Sequence, residues 1–125
     1  MPNVVPIHPA DLRDALARGE VLLIDVREPN EFAAERIPGA LLYPLSTFDP
    51  QAVPAVAGRK LVMQCAAGGR SMRAAQALVA AGHAEVHNLE GGINAWKAQG
   101  LPLVRVNPAT GQVLEHAKLR SNDRG

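Results

Sequence analysis

The sequence predicts an α/β fold, a three-layer sandwich around a mainly parallel central sheet of about five strands. The apolar run at residues 21–26 is typical of a strand that is buried on both faces of a parallel sheet, and residues 60–65 are a second candidate for such a strand. Helical patterns alternate with the predicted strands, as βαβ units require. The length of 125 residues, 47% of them hydrophobic, suits one domain with its own core.

The first half of the chain supplies three of the strands. Residues 4–7 form the first, and Pro6 favours a place at the edge of the sheet. A helix over 11–18 follows, with Leu12, Ala15 and Leu16 on one face and Gly19 just beyond its end. The strand at 21–26 precedes a short helix at 29–34 and a third strand at 41–43. Prolines interrupt residues 46–58, which we expect to form a loop with at most a short helix.

The second half repeats this alternation. The strand at 60–65 is followed by a small-residue turn and a strong helix over 70–81, with Arg73, Gln76 and Ala80 facing solvent. A strand at 85–89 and a helix at 94–99, entered through Gly91-Gly92, complete a domain that we predict to span residues 1–104. Residues 105–125 are expected to be a polar tail, in which 112–114 form at most a marginal strand.

Composition excludes several classes of function. The net charge of +1, from 13 basic and 12 acidic residues, gives no electrostatic basis for binding nucleic acid. Apolar runs are too short to cross a membrane, and the amino terminus does not resemble a signal peptide, so we expect a cytoplasmic protein. One cysteine allows no internal disulfide and no cysteine metal cluster. His83 and His87 are separated by a turn into a strand, and we expect no metal site and no cofactor.

The chemistry is predicted at that single cysteine, Cys65. It ends a buried strand, and the helix that begins near Arg70 follows a loop of small residues. Ligands of open α/β sheets bind at the carboxyl ends of strands, and helix N-termini present free N–H groups to anions. A thiolate is stabilised in such a place, which lowers the pKa of the thiol and makes it nucleophilic. The alternative is an inert thiol buried in the core.

Five segments, in order, resemble the rhodanese-like sulfurtransferase domains. The central one is Cys65-x-x-Gly68-x-Arg70, after Lys60-Leu61-Val62-Met63-Gln64. The others are Asp25-Val26-Arg27-Glu28 with Glu31-Phe32, Ile37-Pro38-Gly39-Ala40, the helix from Ser71 to Gly82, and Leu89-Glu90-Gly91-Gly92-Ile93 with Trp96. The resemblance covers about residues 4–104.

The resemblance implies a persulfide mechanism. Cys65 would be the catalytic nucleophile, taking the outer sulfur of thiosulfate or a persulfide and passing it to a thiol or to cyanide. Donors and acceptors would thus be small molecules, with a persulfide on a protein partner as a further source. The substrate anion would be held by the loop residues Ala66, Ala67, Gly68, Gly69, Arg70 and Ser71.

The loop departs from the family pattern in one respect. Many members carry basic or polar residues directly after the cysteine, whereas this chain has Ala66 and Ala67. Arg70 is therefore the loop's single cation for a doubly charged thiosulfate, and this favours other donors. Two alternatives to a sulfurtransferase remain. A sulfur-carrying or protein-binding module would show little turnover, and a cysteine phosphatase would need five residues, not four, between the cysteine and the arginine.

Overall fold

A computed structural model describes residues 3–115 of the chain. Its strands are β1 (Asn3–Ile7), β2 (Val21–Asp25), β3 (Glu35–Arg36), β4 (Leu41–Leu42), β5 (Lys60–Gln64), β6 (Glu85–Leu89), β7 (Val104–Val106) and β8 (Val113–Glu115). Its α-helices are α1 (Pro9–Ala17), α2 (Pro29–Ala34), α3 (Gly69–Ala80) and α4 (Gly92–Ala98). Two 3₁₀ turns, Leu45–Thr47 and Pro50–Ala52, lie in the segment expected to be a loop.

The central sheet confirms the predicted α/β class. Its five strands are all parallel and run in the order β1-β6-β5-β2-β4. The proline-containing β1 lies at one edge, as Pro6 indicates, and β4 lies at the other edge beside β2. The buried strands β2 and β5 are neighbours in the middle, which explains why both are mostly apolar.

Helices cover both faces of this sheet and make three layers. Alternate residues of a strand point to opposite faces, so Val62 of β5 packs on one side and Met63 on the other. The first side is covered by α1 and α4, which contribute Leu12 and Trp96 to the core. The second is covered by α3, whose Leu78 and neighbouring alanines lie against the sheet. The exposed Arg73, Gln76 and Ala80 confirm the predicted outer face of α3.

A small antiparallel sheet was not predicted from the sequence. It contains β3, β7 and β8 in that order, and only β8 corresponds to an expected marginal strand. Glu35 joins this sheet to α4, since its carboxylate accepts from Lys97 Nζ at 2.9 Å and Arg105 Nε at 2.7 Å. The boundary between domain and tail at residue 104 stays a prediction, and residues 116–125 of that tail lie outside the described residues.

The final helix begins earlier than the sequence suggests, at Gly92 rather than Asn94. Trp96 anchors it, because the ring is fully buried and Nε1 donates to Pro102 O at 2.7 Å. No helix within residues 3–115 has the length and apolar character needed to cross a membrane.

Candidate active site

Cys65 follows the last residue of β5, at the carboxyl end of the central sheet. The loop after it turns into α3 at Gly68, which has a φ of +111°. A side chain is strained at such a φ, so glycine suits this turn. The thiol is 1% exposed, so it lies at the bottom of the loop rather than on its rim.

The sulfur of Cys65 is surrounded by hydrogen-bond donors from the start of α3. Gly68 N donates to Sγ at 3.1 Å and Ser71 N at 3.3 Å. The Ser71 hydroxyl lies 3.3 Å from the same sulfur. Two backbone amides therefore point at the sulfur, as donors that stabilise an anion do, and a side-chain hydroxyl lies beside them.

These donors decide the ionisation of Cys65. Burial by itself raises the pKa of the thiol, because it removes the charged form from water. The amides of Ser71, Gly68 and Ala67 favour the thiolate, as does the Ser71 hydroxyl when it turns to the sulfur, and together they outweigh burial. The pKa of Cys65 is therefore lowered from its ordinary value, which increases the nucleophilic fraction near neutral pH.

The helix α4 holds the other side of the cysteine loop. Ile93 N donates to Cys65 O at 2.9 Å, and Asn94 N donates to Ala66 O at 3.0 Å. The chain can approach so closely because Gly92 has no side chain, and a Cβ there would lie 2.5 Å from Ala66 O. The backbone at the start of α4 is thus in direct contact with the cysteine loop.

Arg70 faces the site but is already paired. Its Nη1 and Nη2 donate to the two oxygens of Glu31 on α2, at 2.9 and 3.1 Å. Glu31 also accepts from Glu28 N at 2.9 Å, which ties the start of α2 to the start of α3. The Arg70 guanidinium holds the pKa of Glu31 at about 2, and Glu31 in turn raises the pKa of Arg70.

Asp25 and Arg27 form a buried structural pair beside this site. Arg27 Nη2 donates to Asp25 Oδ2 at 2.8 Å and to the carbonyl oxygen of Glu35. Both side chains are buried, and the pair joins β2 to the segment after α2. The pair thus holds the end of β2 and the segment after α2 together.

The predicted site residues lie in one continuous loop, and each makes its own contacts. Gly68 and Ser71 donate to the sulfur, Ala66 binds α4, and Arg70 binds Glu31. Ala67 and Gly69 are exposed, and their binding of substrate stays a prediction. Sequence reasoning did not assign site roles to Glu31 and Asn88. Glu31 lies within one of the five segments that resemble the family, which could have indicated a role. For Asn88, the sequence indicates only a place near the end of a strand.

The family model described as "Rhodanese-like domain" matches residues 8–99 of the chain. The chain belongs to the rhodanese-like family. That match includes Cys65, its loop, Glu31 and the start of α4.

Relatives and solved structures agree with this membership. A protein named sulfurtransferase from Allochromatium vinosum is 40% identical over 85 residues, which cover 68% of this chain and 79% of that protein. An uncharacterised Synechocystis protein, slr1261, is 37% identical over 115 residues, and the match covers 92% of this chain and 64% of the longer relative. The human single-domain sulfurtransferase TSTD1 superposes with a TM-score of 0.66 at 30% identity, over 75% of this chain and 96% of the human one.

Proposed function

We propose that this rhodanese-like domain is a sulfurtransferase in which Cys65 carries a sulfane sulfur between two substrates. The observation that supports this best is the buried sulfur, which receives amide donors from Gly68 and Ser71 at 3.1 and 3.3 Å. Such a cradle stabilises an anionic sulfur and keeps it reactive.

The reaction proceeds in two displacements without an external oxidant. The Cys65 thiolate attacks the outer sulfur of the donor, so one S–S bond forms and the donor's S–S bond breaks. Thiosulfate then leaves as sulfite, and a persulfide donor leaves as a thiolate. An acceptor thiolate or cyanide next attacks the outer sulfur of the cysteine persulfide, and the Cys65 thiolate is regenerated.

The acceptor must come from outside this chain, because Cys65 is its single cysteine. We propose that thiols and persulfides, including a persulfide on a protein partner, are used more efficiently than thiosulfate and cyanide. The rim residues Ala66 and Ala67 are uncharged, and the carboxylate of Glu31 neutralises Arg70. A doubly charged thiosulfate therefore meets little net positive charge at the loop.

Intact-protein mass spectrometry tests the sulfur-carrying step. Wild-type protein treated with thiosulfate or a small persulfide should gain the mass of one sulfur atom, and Cys65→Ser should gain none. The same variant should lose sulfur transfer completely. Loading of Cys65→Ser, or no loading of wild type by either donor, would refute the proposal, whereas a loaded protein without turnover would identify a carrier.

The donor preference has its own test in steady-state kinetics. We expect kcat/KM for transfer from a persulfide to glutathione to exceed that for thiosulfate:cyanide exchange. Ala66→Arg adds a cation near the loop and should shift the ratio towards thiosulfate, by roughly fivefold or more for one charge contact. Wild-type protein that already favours thiosulfate would contradict the interpretation of the uncharged rim.

A further inference from the structure

We propose that Asn88 is a positioning residue that controls the ionisation of Cys65 through the hydroxyl of Ser71. Asn88 lies on β6 and is 6% exposed, and its side chain bonds to the residues around the sulfur rather than to the sulfur itself. Its Oδ1 lies 2.5 Å from Ser71 Oγ, and its Nδ2 lies 3.2 Å from Gly68 O. It therefore touches two of the loop residues that donate to Cys65 Sγ, Gly68 and Ser71.

The surroundings of Asn88 fix the direction of its amide. The carbonyl of Gly68 can only accept, so the amide nitrogen must face it. The amide oxygen then faces Ser71, and two oxygens 2.5 Å apart need a proton between them. The Ser71 hydroxyl consequently donates to Asn88 in this arrangement.

Ser71 has one hydroxyl proton and three acceptors within reach of it. The hydroxyl oxygen lies 2.5 Å from Asn88 Oδ1, 3.2 Å from Gly68 O and 3.3 Å from Cys65 Sγ. Gly68 O already accepts from Met72 N and Asn88 Nδ2, so the main competition is between Asn88 and the sulfur. While the proton points to Asn88, the Ser71 oxygen offers lone pairs to the sulfur and suits a protonated thiol. When the hydroxyl turns to the sulfur, it stabilises the thiolate and leaves the Asn88 oxygen without its donor. Asn88 thus opposes ionisation of Cys65 and keeps its pKa from falling further.

Other charged groups near the site are paired and do not provide this control. Arg70 on α3 binds Glu31 on α2, and Asp25 binds Arg27 beside β2, so each pair adds little net charge. His87, the neighbour of Asn88 on β6, lies on the opposite face of the strand with Glu85 beside it.

During catalysis, a part of the inference that rests on the proposed sulfur transfer, the Ser71 hydroxyl would take one position for the thiolate and the other for the persulfide. Ser71 donates to Cys65 Sγ while that sulfur is the attacking thiolate. In the persulfide, the negative charge lies on the outer sulfur, and the hydroxyl returns to Asn88. Ser71 would therefore donate to Cys65 Sγ only while that sulfur carries the negative charge.

Titration of the thiolate by its ultraviolet absorbance tests the inference, because the chain has one cysteine and Cys65→Ser gives the blank. Ser71→Ala should raise the pKa of Cys65. Asn88→Ala should lower it, by roughly half a unit or more, since Ser71 is then free to donate to the sulfur. In the Ser71→Ala background, Asn88→Ala should produce no such decrease.

Several pKa results would contradict a role of Asn88 through Ser71. If Asn88→Ala raises the pKa as Ser71→Ala does, or lowers it equally without the hydroxyl, Asn88 does not act through Ser71. Asn88→Leu keeps about the size of the side chain without its oxygen and should also lower the pKa, so it serves where the alanine variant does not fold. An unchanged pKa in this variant would overturn the proposal. No sulfur donor is present in the titration, so failure of sulfur transfer with the expected pKa shifts would refute the proposed function alone.

Discussion

Substitution of Gly92 by alanine should damage the active site from outside the cysteine loop. Gly92 has a φ of +60°, and a Cβ there would lie 2.5 Å from Ala66 O and press on Cys65 O. Those carbonyls cannot move freely, because they accept from Asn94 N and Ile93 N. Either the start of α4 or the cysteine loop must therefore shift.

The loss of stability in Gly92→Ala has two causes, and a matched control variant separates them. Alanine at a left-handed φ costs about 1–2 kcal/mol, and close contact with fixed atoms adds about 1–3 kcal/mol. Gly100 has a φ of +69°, and a Cβ added there would meet nothing within 4 Å, so Gly100→Ala reports the first part alone. We expect Gly92→Ala to be less stable than Gly100→Ala by about 1–3 kcal/mol.

Chemical unfolding and thiolate titration measure the two consequences. The Gly92→Ala variant should show the larger loss of unfolding free energy and a raised pKa of Cys65, because Gly68 and Ser71 no longer align with the sulfur. The Gly100→Ala variant should keep the wild-type pKa. Equal stabilities for the two variants, with equal pKa values, would refute the view that α4 holds the loop in place.

Three further predictions concern charge and chain length. The pKa of Glu31 is about 2, below its ordinary 4.5, so the stability from its pairing is present above about pH 4.5 and is lost as pH falls towards 2. Because the pair is partly exposed, we expect about 1 kcal/mol or less, and Glu31→Gln should remove this part of the acid sensitivity in unfolding titrations. Arg70→Ala leaves the Glu31 carboxylate unpaired beside the loop, where it repels an anion, so KM for thiosulfate should rise more than kcat falls. A loss confined to kcat would contradict this role in binding. Removal of the chain after Asn107 should leave an active domain with a small decrease in Tm, since Val113 and Leu114 are 59% and 46% exposed, and a large decrease would contradict this.

The sequence predicts the central sheet and the place of the cysteine because both depend on local patterns. The apolar runs of β2 and β5 reflect burial on two faces, and Gly68 marks the turn that leads into α3. The small sheet lacks such a pattern. Its strands β3 and β7 have two and three residues, too few for an alternation to be read.

The partners of the loop depend on distant parts of the chain. A cation at the start of α3 indicates a nearby anion, and the structure places Glu31 there from α2. Nothing in the spacing of Arg70 and Glu31 gives their separation in space. Asn88 is equally hidden, because only pairing of β5 with β6 brings its amide to Ser71.

Because α4 holds the cysteine loop, the active site can be completed only late in folding. On a ribosome, Cys65 emerges well before Ile93 and Asn94, whose amides hold its loop. The same late segment provides β6, the strand with which β1 pairs, with Asn3 opposite Glu85. Pairing across such sequence distances slows folding and concentrates it in a late step. The thiol should therefore acquire its lowered pKa only after the final helix has docked, so that an unfinished chain does not expose an activated cysteine.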